Sequence, residues 1–199
     1  MLHGIYLIVN DAPAALFLAG AGLEAGVRIV QYRAKRGTDP QILRALRRRT
    51  RQYDALLIMN DDVAAAIAFD CDGVHLGPAD TGFIELPKVR AAIGDRLIGV
   101  SCGSVAEARA AGAGGADYAG VGAVYASASK SDAGTPIGIG GLKAIAAATA
   151  LPVAAIGGID VGNLPDVRAA GVAMAAVISA VAQASDPVAA ARQLVEAWA

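Results

Sequence analysis

Two carboxylates and several cations stand just past the ends of short apolar runs in this chain. Asp61 follows Asn60 at the end of one run, and Asp80 lies in the loop after the next. Gln31, Arg33 and Lys35 alternate at the end of an earlier run, and Ser127, Ser129 and Lys130 follow a later one. Paired acids hold a hard cation through oxygen, and lysine or arginine with hydroxyls holds an anion. Both sets together suit a substrate that is a metal-bound polyphosphate. Ser101 and Cys102, the pair Gly157-Gly158, and Ile178-Ser179 complete the polar groups at these positions.

Each feature also has a plain structural use. Asp61 could cap a helix beginning at Asp62-Val63, and Asp80 could be solvated in its loop. Gln31, Arg33 and Lys35 repeat with the period of a strand face, from which long cations reach water. Gly157-Gly158 could serve only a tight turn. Their joint occurrence at run ends favours a common site. Two other features read as structural: His75, inside the apolar run Gly73-Val74-His75-Leu76, as a hydrogen-bonded core histidine, and the arginines Arg44, Arg47, Arg48, Arg49 and Arg51 as the wet face of a helix whose apolar face is Ile42, Leu43 and Leu46. Cys102 neighbours Ser101 at a run end but has no histidine partner in sequence, so it is not expected to act as a nucleophile.

The elements that position these groups follow from periodicity. Strands are expected at Ile5–Val9, Val27–Tyr32, Ala55–Met59, Gly73–His75, Leu97–Val100, Tyr118–Val121, Val153–Ile156 and Met174–Ile178, with helical spacing between them. Helix starts are marked by Asp39-Pro40, by Ser104 with Glu107 three residues on, and by Ser185-Asp186-Pro187. Gly26, Gly94, Gly112 and Gly171 suit left-handed C-terminal caps. Eight strands alternating with helices predict a parallel (β/α)8 TIM barrel, residues 1–199 forming a single compact domain at roughly 25 residues per unit. An open doubly wound sheet would carry a glycine-rich turn after the first strand, where Asn10-Asp11-Ala12-Pro13 stands instead. Barrel enzymes place reacting groups at the C-terminal ends of strands, which is where the polar residues above fall.

Composition narrows the partners. The 199 residues carry a net charge of −1 and a pI near 6.1, so bulk charge gives no attraction for nucleic acid or an anionic membrane. Hydrophobic residues make up 55%, and there are 24 glycines, as expected for strands buried on both faces. No signal peptide is visible, and the longest apolar run, near Ala169 to Ala182, is short of a membrane span. Cys71 and Cys102 form neither a disulfide framework nor a metal-finger spacing. A cytoplasmic protein with reduced thiols and small-molecule substrates is expected; a homo-oligomer is compatible with the sequence.

The motifs Val30-Gln31-Tyr32-Arg33-Ala34-Lys35, Met59-Asn60-Asp61, Asp72-Gly73-Val74-His75-Leu76-Gly77, Asp80, Gly99-Val100-Ser101, Asp117-Tyr118-Ala119-Gly120-Val121-Gly122, Lys130, Ala155-Ile156-Gly157-Gly158-Ile159 and Val177-Ile178-Ser179-Ala180 are similar, in order and spacing, to those of the thiamine phosphate synthases. The resemblance runs along nearly the whole chain. It implies a (β/α)8 barrel that joins hydroxymethylpyrimidine diphosphate to a thiazole phosphate, releasing diphosphate and giving thiamine phosphate by a dissociative, Mg2+-assisted path. It also implies roles: Arg33, Lys35, Ser101 and Lys130 in catalysis; Asn60 and Ser101 as donors to the diphosphate; Gln31 near the pyrimidine. Mg2+ would be held by Asp61 and Asp80, and the thiazole phosphate by Ser127, Ser129 and the backbone at Gly158, Ile178 and Ser179. The chain departs from the family pattern at Ser127 and Ser129, where threonines are usual, at Ala126 for proline, Pro78 for glutamine and Cys102 for threonine, and the stretch before Asn60 implies a shortened second helix. None of these removes a charged group.

Two rivals share the fold. A thiazole tautomerase-like enzyme would need a general acid/base histidine after the sixth strand, where Gly122-Ala123-Val124-Tyr125 has none. A catalytically silent phosphate-binding barrel finds its only support in the serine replacements.

Overall fold

A computed structural model describes residues 2–10, 13–35, 37–77, 85–127 and 135–199. Eight parallel strands pair in sequence order and close into a barrel through β1 and β8. They are β1 (Gly4–Asn10), β2 (Ile29–Arg33), β3 (Leu56–Asn60), β4 (Gly73–Leu76), β5 (Leu97–Cys102), β6 (Tyr118–Val121), β7 (Val153–Ile156) and β8 (Met174–Val177). The expected (β/α)8 architecture is the observed one, with strand ends displaced by two residues at most. The described helices are α1 (Ala15–Glu24), α2 (Pro40–Gln52), α3 (Val63–Ala68), α4 (Leu86–Ile93), α5 (Val105–Ala113), α6 (Gly138–Ala147), α7 (Leu164–Arg168), α8 (Ser179–Ala182) and α9 (Pro187–Trp198).

Alternation along each strand sorts side chains between two cores. Outward residues such as Leu7, Val30, Leu57, Val74 and Val100 pack under the helices with Leu43, Leu46, Leu142 and Leu194. Inward residues Tyr6, Ile8, Ile29, Ile58, Tyr118 and Met174 fill the barrel itself. The period of two explains the division. Leu43 and Leu46 are fully buried on one face of α2, each contributing roughly 2 kcal/mol; Leu46→Asp would detach the helix.

Caps fall largely where the sequence puts them. Asp39 accepts from the backbone N–H groups of Gln41 and Ile42; Ser104 Oγ accepts from Glu107 N, whose carboxylate accepts in turn from Gly103 N; Asp186 caps α9 through Ala189 N. Gly26, Gly94 and Gly171 have positive φ, as expected. Gly112 does not: it lies within α5, and the left-handed turn falls at Gly115. The helix continues because alanines flank Gly112 and nothing there interrupts its hydrogen bonds.

At the N-terminal end of the strands one device occurs twice. Asp72, just before β4, accepts from Leu57 N at 2.7 Å and pairs with Arg47 of α2 through bonds of 2.6 and 3.1 Å. Asp117, just before β6, accepts from Ile98 N at 2.7 Å and pairs with Arg90 of α4 at 2.5 Å. Each aspartate thereby locks a helix to two strands. The arginine-rich face of α2 is more engaged than a merely wet face: Arg49 pairs with Glu24, Arg51 with Asp70, and Arg44 lies 5.2 Å over the ring of Phe69.

Candidate active site

The strand-end residues converge on a cavity of about 550 Å³ at the C-terminal end of the barrel. Arg33, Lys35, Asn60, Asp61, Ser101, Ser127, Gly158, Ile178 and Ser179 all line it. These nine come from the ends of six different strands, separated in sequence by as many as 146 positions between Arg33 and Ser179. Asp80, Ser129 and Lys130 lie outside the described residues.

Arg33 shapes the electrostatics. Its position on the inward face of β2 leaves it only 9% exposed, and its guanidinium donates to the neutral Asn10 Oδ1 at 3.3 Å. Neither Arg33 nor Lys35 forms an ion pair among the described residues. A buried, uncompensated cation is costly, and an anionic ligand in the cavity would offset that cost.

Asp61 is not the helix cap. Asp62 takes that position and accepts from Ala65 N at 2.8 Å, while Thr38 Oγ1 donates to its other oxygen. Asp61 is left at the rim with φ of 62°, held there by the bond from its N–H to His75 O at 2.9 Å. Asn60 Nδ2 donates to its carboxylate, so one amide proton of Asn60 orients the acid. Among the described residues no three His, Cys, Asp or Glu side chains cluster closely enough to hold a metal ion. An exposed oxygen donor at the rim of a cavity that Arg33 and Lys35 also line does fit magnesium, which takes one or two carboxylates and completes its shell with water and phosphate.

Gln31 lies deeper. It is 2% exposed and does not line the cavity; its Nε2 donates to Tyr6 Oη at 2.7 Å. Being two residues before Arg33 on the same face of β2, it sits about 6.6 Å farther down the strand from the mouth. The opposite wall is backbone. Gly157 and Gly158 have φ of 106° and 63°, and a Cβ on Gly158 would stand 2.6 Å from Ala126 O. Only glycine allows that turn and that approach.

His75 is the hydrogen-bonded barrel histidine expected, but it also lines the cavity. Its Nδ1 lies 3.1 Å from Tyr118 Oη and its Nε2 lies 3.0 Å from Ser101 Oγ. The sequence reading passed over Tyr6 and Tyr118, whose inward placement was signalled only by alternation with Ile8 and Gly120. Glu107 was also missed as a cavity residue, since its capping role accounts for it. Cys102 is buried, and burial first, then the nearby Glu107 carboxylate, pushes its thiol up to about 12. At neutral pH it carries no thiolate to act as a nucleophile.

Comparison with known proteins agrees with this geometry. Residues 5–181 match the thiamine monophosphate synthase family. The chain belongs to that family. It is 44% identical over 177 residues to the thiamine-phosphate synthase of Chloroflexus aurantiacus, covering 87% of this chain and 81% of that one. It is 46% identical over 183 residues to the thiamine-phosphate synthase of Archaeoglobus fulgidus, covering 90% and 84%. The solved structure of thiamine phosphate pyrophosphorylase from Pyrococcus furiosus superposes with a TM-score of 0.90 at 36% identity, covering 98% of this chain and 95% of that one. Among the described residues no helix is long and apolar enough to cross a membrane.

Proposed function

We propose that this chain is a thiamine-phosphate synthase, a transferase that condenses hydroxymethylpyrimidine diphosphate with thiazole phosphate and releases diphosphate. The observation that carries this reading is Arg33: a nearly buried guanidinium with no carboxylate partner among the described residues, facing a cavity large enough for two joined rings. Breaking the C–O bond to diphosphate first leaves a cation stabilised by the pyrimidine, which the thiazole nitrogen captures. No side-chain nucleophile is required, in keeping with the protonated Cys102.

The chain's work is then electrostatic and positional. Diphosphate departs with a charge of about −3, and Arg33, Lys35 and Lys130 oppose it, with Asn60 and Ser101 as neutral donors. Asp61 and Asp80 would hold Mg2+, which when bound neutralises charge on phosphate oxygens. Ser127, Ser129 and the backbone at Gly158, Ile178 and Ser179 would hold the thiazole phosphate. Gln31, donating to Tyr6 beneath the cavity, would lie near the pyrimidine. The protein works in the cytoplasm on small molecules.

The test is direct. Protein, both phosphorylated rings and Mg2+ are mixed, and diphosphate and thiamine phosphate are measured together. Equal amounts of the two products are expected; no diphosphate release with both rings present would remove the proposal.

A further inference from the structure

A chain of polar side chains crosses the barrel beneath the cavity, and no step above uses it as a unit. Gln31 Nε2 donates to Tyr6 Oη at 2.7 Å; Tyr6 Oη lies 2.8 Å from Tyr118 Oη; Tyr118 Oη lies 3.1 Å from His75 Nδ1; and His75 Nε2 lies 3.0 Å from Ser101 Oγ. The barrel has been cleared for it. A Cβ on Gly99 would stand 2.0 Å from the Tyr118 ring, and one on Gly120 would stand 2.7 Å from His75 Cε1. Neither glycine has positive φ, so the space for the rings is what these positions supply.

Proton counting sets a direction. Tyr6 Oη already accepts from the Gln31 amide, and among the described residues its own proton has no acceptor but Tyr118 Oη. Tyr118 must then give its proton to His75 Nδ1, and the His75 proton sits on Nε2, donating to Ser101 Oγ. Burial pushes both phenols well above the ordinary tyrosine range, so their protons stay in place. With its oxygen accepting from below, Ser101 has its own proton left for the cavity.

We propose that Tyr118, anchored by Tyr6 and Gln31, is a positioning residue that fixes the Nε2–H form of His75 and so turns the Ser101 hydroxyl into an oriented donor to the departing anion. The reverse polarity would draw the Ser101 proton onto His75 and present a lone pair to the diphosphate, which repels it. The proposal rests on the anion-binding reading of Ser101.

The experiment begins with the unaltered, ligand-free protein. Long-range 1H–15N correlation at neutral pH, with His3→Gln used for assignment, should show His75 protonated on Nε2 and bare on Nδ1. An Nδ1–H form or a doubly protonated ring overturns the relay, even if Ser101→Ala is inactive. Kinetics form the second arm. Tyr118→Phe should lower kcat roughly 10-fold with little change in KM, and Ser101→Ala should lower it roughly 100-fold. Adding Tyr118→Phe to Ser101→Ala should cost nothing further. An equal loss in both backgrounds would mark a merely structural tyrosine. Full turnover in Ser101→Ala would remove the anion reading itself, a failure distinct from a wrong tautomer.

Discussion

At the N-terminal end of the strands Arg47 and Arg90 each meet an aspartate that also holds a strand N–H. At the C-terminal end Arg33 donates to a neutral amide, and Lys35 has no ion pair among the described residues. Arginine is thus used twice in one barrel with opposite outcomes. At the base its charge is spent inside the protein, joining helix to strand. At the mouth it meets no carboxylate among the described residues. A buried charge left without its counterion destabilises the fold, and such a cost persists where function requires it.

Exchanging the roles of the two ends should separate activity from stability. The largest effect is expected for Arg33→Ala: kcat should fall by roughly 10²–10³, with a melting temperature unchanged or raised. Lowered stability with turnover intact would erase the distinction between the ends. Next, Asp61→Asn should weaken Mg2+ binding at the rim, raising the half-saturating Mg2+ concentration about 10-fold without altering the melt. An unchanged Mg2+ titration would take Asp61 out of the metal site. At the base, Asp72→Ala should do the reverse. Its partner and its strand bond are part-exposed, so the loss should be about 2 kcal/mol, or about 5 °C in melting temperature. Turnover at 25 °C should be preserved, as steady-state rates would show.

At neutral pH the smallest effect concerns the thiols, Cys71 before β4 and Cys102 at the end of β5, whose contribution changes only in alkali. Burial raises Cys71 and Cys102 from 9.0 to about 12. The folded chain therefore keeps protons that the unfolded chain loses above pH 9. This contribution to stability is fully present below pH 9 and drains away as pH rises toward 12. The melting temperature should fall between pH 8 and pH 11, and at pH 8 neither thiol should react with a disulfide reagent until denaturant is added. Rapid labelling of native protein would show that these sites open.

Much of this was legible from local pattern. Strand positions followed from short β-branched runs, because alternate residues must face two different apolar layers. The strand-end residues Arg33, Asn60, Asp61 and Ser101 were visible as polar groups where an apolar run stops. Less was legible where two uses share one residue type. Asn60-Asp61-Asp62 offers two possible caps, and the choice of Asp62 depends on Thr38 from another loop. Gln31 shares a strand face with Arg33, yet only the depth of the cavity separates a lining residue from one beneath its floor.

Composition and periodicity by themselves determined that eight parallel strands would alternate with helices, and which residues would stand at their ends. Only the closed barrel decided that the hydroxyls of Tyr6 and Tyr118, 112 positions apart, would meet at 2.8 Å, and that His75 would reach Ser101 through space emptied at Gly99 and Gly120. The physical reason is one of range. A strand's alternation is set by its own dihedral angles, whereas the meeting of inward faces depends on barrel closure and on the stagger between strands, to which every other strand contributes.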